Sequence, residues 1–246
     1  MRTPRLAFLV ATIAACGGST PAPAQEATTN PAPVVPPVAD APPSPPPPEP
    51  PLAIPEACAP GELDPCVPGA RFADRICAMS HPEVALALFA KGSPWTRLYL
   101  RGDVDGWNAE GGGSARAKLL FDEEVIALKR RAPAKGAAAI SVGGSDGYEV
   151  IRWDGNCYTL DSGEVARRSP PRPKHSSIPW KLLNEKTKSA LLDNASVKAA
   201  YDRRRKECKG VTVGDVSLAC EQGDTALSDA IVAAVKSGIS LPVPEL

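Results

Sequence analysis

The sequence predicts an α+β protein in which a small antiparallel β domain precedes a three-helix C-terminal domain, both behind a disordered Pro-rich tether. Three observations carry that expectation. Between Pro94 and Val165, short alternating or β-branched runs are broken by Gly-rich turns. From Pro179 onward the apolar residues recur at helical spacing instead. Beyond residue 55 there are six cysteines, an even number suited to disulfides.

At the N-terminus, Arg2 and Arg5 precede an apolar run from Leu6 to Ala15, the layout of a secretory leader. Such a run reaches only about 15 Å as a helix, half of a hydrocarbon core, so it is too short to be a membrane span. It ends Ile13-Ala14-Ala15-Cys16-Gly17, which resembles the lipobox of bacterial lipoproteins. The resemblance implies that residues 1–15 are a signal peptide, that the Cys16 thiol is joined to diacylglycerol, and that the new amino group is acylated. Two or more acyl chains anchor a protein stably where one does not. Gly17 stands where many such lipoproteins carry the aspartate that retains them in the inner membrane. By that resemblance the outer membrane is the expected destination.

Residues 16–55 form the tether. From Ser19 to Pro55 the chain holds fifteen prolines, few large apolar residues and no periodicity. It lacks the apolar surface to offset its ordering entropy, and polyproline II character is expected. At about 3.1 Å per residue it would extend to roughly 110 Å, enough to hold a body far from its membrane.

Charge names no partner: Lys and Arg number 28 against 28 Asp and Glu. Nucleic acid is not expected for an exported chain. The cysteines Cys58, Cys66, Cys77, Cys157, Cys208 and Cys220 read as disulfides in an oxidising compartment, with Cys208 to Cys220 the first choice of pair. Their spacings are long and His81 and His175 are the only histidines, a poor zinc pattern, so neither metal nor cofactor is expected.

Residues 56–166 read as the β-rich domain with one short helix. That helix lies in "HPEVALALFAKG", with Ser80 as cap, Pro82 in the first turn and Gly92 beyond its end. Strands follow in "WTRLYLRG", "AKLLFDEEVIALKRR", "AAAISVGG" and "YEVIRWDGNCYTL". In the last of these, Tyr148 and Val150 share one face while Glu149, Ile151 and Trp153 share the other, so both faces should be covered. Asp154-Gly155 is a hairpin signal. With its aromatics and a second acidic turn, "GYEVIRWDGNCYTLDSGEV" is similar to the hairpins of SH3-like barrels, which implies a small barrel.

Residues 167–178, "RRSPPRPKHSS" and its flank, read as a linker, and residues 179–246 as the helical domain. The first helix should start near Pro179, with Trp180, Leu183, Thr187, Ala190 and Leu191 on one side. The second should run from about Ala195 to Lys209. The last, capped by Asp224 or Thr225, places Leu227, Ala230, Ile231, Ala234 and Val235 on one stripe before Gly238.

Several short patterns invite a chemical reading and lack its context. Gly143-Gly144-Ser145-Asp146-Gly147 fits G-x-S-x-G, but a strand follows where a nucleophile elbow needs a helix. Asp103-Val104-Asp105-Gly106 begins like a calcium loop but has Trp107 and Asn108 where an oxygen ligand and a glycine belong, so a turn is expected. Gly111 to Ser114 lacks the P-loop lysine. Asp122, Glu123 and Glu124 should lie on a solvated edge or turn.

The basic cluster is more informative. Residues 174–210 hold ten basic residues against four acidic ones, among them Arg203, Arg204, Arg205 and Lys206. Three consecutive arginines on a helix fan over about 200°, so at least part of the group faces solvent. It is a candidate contact for an anionic partner such as lipid headgroups or an acidic envelope protein. The expectation is a binding or scaffolding module with no catalytic residue assigned. The alternatives are a hydrolase with an unfamiliar site and an inhibitor of an extracytoplasmic hydrolase.

Overall fold

The computed structural model describes residues 53–108, 116–132, 146–212 and 217–244. Cys16, the leader, most of the tether, the Gly111–Ser114 loop, Ser145 and the strand expected in "AAAISVGG" lie outside them. Two short helices open the described chain. The first, α1 (Ala70–Ile76), was not expected from its sequence; it buries Phe72, Ala73 and Ile76 on one face. The second, α2 (Pro82–Leu88), starts at the expected proline. Its N-cap is His81, without a side-chain bond, because the expected cap, Ser80, donates its hydroxyl to the carbonyl of Asp154 at 2.9 Å.

Seven strands follow: β1 (Arg97–Leu100), β2 (Val104–Asn108), β3 (Arg116–Leu119), β4 (Glu124–Arg131), β5 (Gly147–Ile151), β6 (Cys157–Asp161) and β7 (Val165–Ala166). They form one sheet in the order β3-β2-β6-β5-β4-β1-β7, each neighbouring pair antiparallel. That order requires the sheet to coil. Strands β1 and β2 sit four positions apart, about 19 Å in a flat sheet. Yet only Arg101, Gly102 and Asp103 join them, and the step from Leu100 to Val104 spans at most about 14 Å. Strands β3 and β4 are also four positions apart and joined by a short turn. The edges β3 and β7 are not paired with each other among the described residues, so the sheet coils without closing through this ladder.

Both faces of the sheet are buried, as the alternation in β5 predicts. Tyr148 and Val150 join Leu98, Leu100, Leu119, Val125, Leu160 and Val165 in a cluster made of strand residues and Val67, the product of the sheet's own curvature. Ile151 and Trp153 face the helices, and Trp153 stacks on Phe89 with ring centroids 4.0 Å apart.

The C-terminal segment starts with a single 3-10 turn, Trp180–Leu182, and breaks at Asn184, whose side chain accepts from the Thr187 amide at 2.7 Å and caps α3 (Glu185–Leu192). Next comes α4 (Ala195–Glu207), capped by Asn194. The last helix, α5 (Leu218–Ser237), begins six residues before Asp224, capped by Ser217, and ends at Gly238 in the left-handed conformation. Gly223 lies inside it because the helices cross there: a β-carbon at Gly223 would stand 3.1 Å from the Arg204 Cα and 2.8 Å from the Glu207 carboxylate. A glycine that reads as a helix breaker is here a packing requirement. Trp180, Leu191, Val197, Leu227, Ile231 and Val235 share one apolar cluster with Phe72, Leu86, Leu128 and Trp153, and the described residues all fall within one compact unit.

Three disulfides fasten this body: Cys58 to Cys66, Cys77 to Cys157, and Cys208 to Cys220, with Cα separations of 5.0, 5.3 and 4.6 Å. The second ties the Asp154-Gly155 hairpin to the segment between α1 and α2. Gly155, at φ +82°, lies so close to the His81-Pro82 backbone that no side chain fits.

Candidate functional site

The carboxylates of the β3–β4 turn are not solvated, which corrects the sequence expectation for two of the three. Leu120 and Phe121 take the outside positions, 43% and 48% exposed, and Asp122 adopts φ 64°. The chain thereby turns Glu123 and Glu124 inward, where they are 1% and 2% exposed. Glu123 accepts from Arg152 Nε at 2.7 Å and from the Leu120 amide at 2.9 Å. Glu124 accepts from Arg97 at 3.3 Å and the Tyr99 hydroxyl at 3.2 Å through Oε1. Its Oε2 takes Trp153 Nε1 at 3.3 Å and Lys236 Nζ at 2.7 Å. With each oxygen occupied by protein donors, these carboxylates join β1, β4, β5 and α5 rather than activate a substrate.

A third buried carboxylate, Glu149, meets Lys129 Nζ at 3.1 Å, and the same ammonium reaches Asp74 of α1 at 2.5 Å. Burial pushes the Glu149 carboxyl above its ordinary range against the pull of Lys129. For Lys129 burial acts downward, and its bonds to the two carboxylates outweigh that and leave it raised.

Among the described residues, neither histidine is bonded to a serine hydroxyl or a free thiol. His81 is lowered by burial, against the pull of Glu83. His175 lies 2.8 Å from Asp229 through Nε2 and 3.1 Å from the Ser176 carbonyl through Nδ1. The serine hydroxyls beside it are tied to backbone: Ser176 accepts from Asp154 N, and Ser228 accepts from Ile178 N and donates to Asp224 O. Gly147 opens a strand, as its sequence context implies. In Asp103-Val104-Asp105-Gly106 only Asp103 belongs to a turn, where it accepts from the Phe121 amide; the rest is strand β2, because Gly106 packs against Leu119 and Tyr158. The backbone bond from Phe121 also holds the Asp103 carboxyl below its usual range.

The basic group on α4 divides. Arg204 turns toward α5 and pairs with Asp224, and Arg203 pairs along the helix with Glu207 at 2.7 Å. Arg205 instead lies over the Tyr201 ring, 5.8 Å from its centroid, and Tyr201 packs on Trp180 at 4.9 Å. Arg203, Arg205, Lys206 and Lys209 are exposed. Nothing in the residue order distinguishes Arg204 from its neighbours; only the crossing with α5 does.

At that crossing Cys208, Cys220 and Asp224 place ligand-type atoms within 4.8 Å of one another. The two sulfurs are bonded to each other, so they offer no thiolates, and Arg204 occupies the carboxylate. An open depression of about 430 Å³ lies where α3 and α5 end and α4 begins, with Asp193, Asn194 and Ser237 in its wall; Asn194 is already engaged as a cap. No helix among the described residues is long and apolar enough to cross a membrane.

Fold and surface together define a disulfide-fastened α+β body with an exposed cationic helix. No family model, no curated protein and no solved structure matches the chain.

Proposed function

We propose that this chain is a lipid-anchored protein of the cell envelope, seated in the outer membrane through Cys16, which presents its α+β body on the Pro-rich tether as a binding or scaffolding module. The observation that carries the reading is the pairing of all six cysteines of the body, two of the bonds joining segments 8 and 12 residues apart and one joining segments 80 apart. Such a set is kept in oxidising compartments, where a leader and lipobox would deliver the chain. The coiled sheet, with its hairpin at Asp154-Gly155, supports reading the β part as an SH3-like module. The buried charges serve as internal ties, which favours binding over catalysis.

Labelling cells with an alkyne-bearing palmitate analogue tests the anchor. The parent protein should be labelled and fractionate with membranes, and Cys16→Ser should be unlabelled. An unlabelled parent, or free body thiols trapped from intact cells, would overturn the reading.

A further inference from the structure

We infer that the outward face of α4, together with the 3-10 turn beside it, is a docking surface for an anionic lipid bilayer. This deepens the reading of the chain as lipid-anchored and rests on it for the nearness of a membrane. The face is built by helical spacing. Lys198, Tyr201 and Arg205 lie on one stripe at intervals of three or four residues, with Lys206 beside them, and the exposed Lys209 follows in the turn after the helix. Lys198 is neutralised by Asp202 at 3.3 Å, while Arg205, Lys206 and Lys209 have no carboxylate partner among the described residues. The Trp180–Tyr201 contact at 4.9 Å brings the turn alongside, and that turn exposes Lys181 and Leu182, the latter at 60%.

An exposed leucine and a half-buried tyrosine on elements that also expose Lys181, Arg205 and Lys206 suit an interface with anionic headgroups above and acyl chain below. The tether itself, residues 16–55, carries Glu26, Asp40 and Glu49 and no Lys or Arg. It is repelled by such a surface, and any attraction must come from the body.

The test uses the mature chain from position 16 with Cys16→Ser, which has no acyl chain, in co-flotation with phosphatidylcholine vesicles with or without phosphatidylglycerol. Binding should require phosphatidylglycerol and should disappear as salt rises from about 0.1 to about 1 M, which shortens the screening length from about 10 to about 3 Å. Each cation near such a surface strengthens partitioning about fivefold, so Arg205→Gln/Lys206→Gln/Lys209→Gln should weaken it about 100-fold. Because Arg205 also stacks on Tyr201, Lys181→Gln/Lys206→Gln/Lys209→Gln provides a second variant with that stack intact and the same expected loss. Leu182→Ser should weaken flotation severalfold. No phosphatidylglycerol-dependent flotation at low salt, or unchanged flotation of both triple variants, overturns the surface. Unchanged flotation of Leu182→Ser overturns the insertion of the 3-10 turn and reduces the contact to headgroup charge alone. A failed palmitate label with intact flotation would instead remove the anchor and leave the face.

Discussion

Replacing Glu124 by leucine tests whether a buried carboxylate holds the helices to the sheet. Leucine approximates the volume and removes the acceptors for four donors. Two of these are enclosed: Tyr99 is 7% and Trp153 0% exposed. Leaving a buried hydroxyl and a buried indole N–H unsatisfied costs about 1–3 kcal/mol each. The other two, Arg97 and Lys236, have side chains 27% and 32% exposed and regain water, so each loses no more than about 1 kcal/mol. The expected loss is therefore about 4 kcal/mol, within the range of about 3–5 kcal/mol for breaking a buried ion pair. In urea, with a slope of about 2 kcal/mol/M, the midpoint should fall by about 2 M. Lys236→Met removes only one partner and should cost about 1 kcal/mol. A Glu124→Leu protein within about 1 kcal/mol of the parent would refute the reasoning, since the carboxylate would then be no more than a tolerated buried charge.

The remaining predictions concern fastening, crossing and acidity. Loop-closure entropy assigns about 3 kcal/mol to Cys208–Cys220, whose cysteines are 12 residues apart, and about 4.5 kcal/mol to Cys77–Cys157, 80 apart. Serine pairs at the two sites should lower the urea midpoint in that order, and equal losses would contradict it. Gly223→Val should destabilise by about 1–3 kcal/mol through overpacking at the α4–α5 crossing, and a gain in thermal stability would show that the helices separate freely. For Glu149 the folded carboxyl titrates above its ordinary 4.5, so its favourable contribution is fully present below that value and is lost as pH rises through the folded value. Glu149→Gln should accordingly gain stability relative to the parent between pH 4 and pH 7, and a constant difference in urea midpoint across that window would reject the assignment.

Where one local pattern fixed one outcome, the fold was legible. The Asp154-Gly155 turn, the two-sided alternation in β5 and the end of the last helix at Gly238 are decided by neighbours in sequence. Elements whose reason lies elsewhere in the chain were not. Helix α1 has seven residues, too few for a clear period, and exists because Phe72, Ala73 and Ile76 find the helix-facing core. The true start of α5 was hidden by Gly223, unfavourable by local propensity and required by a partner helix.

The same division governs the site. Arg203, Arg204 and Arg205 are identical in type and consecutive, and their spread of about 100° per residue was readable at once. Their fates were not, because each is set by what stands opposite. Arg204 meets Asp224 across the crossing, Arg203 meets Glu207 one turn on, and Arg205 meets only the Tyr201 ring. A run of cations is therefore not a binding face until the carboxylates on adjoining elements have been placed. On α4 that placement removes Arg203 and Arg204 from the count and brings in Lys181, Leu182 and Lys209, none of them in the original run. The docking surface that results has as many cations as the run of four, in other places, and it includes an apolar residue that a purely electrostatic reading of the run would have omitted. That leucine is what separates insertion into a bilayer from contact with its charge alone, so Leu182→Ser is the substitution that tests the apolar part of this face.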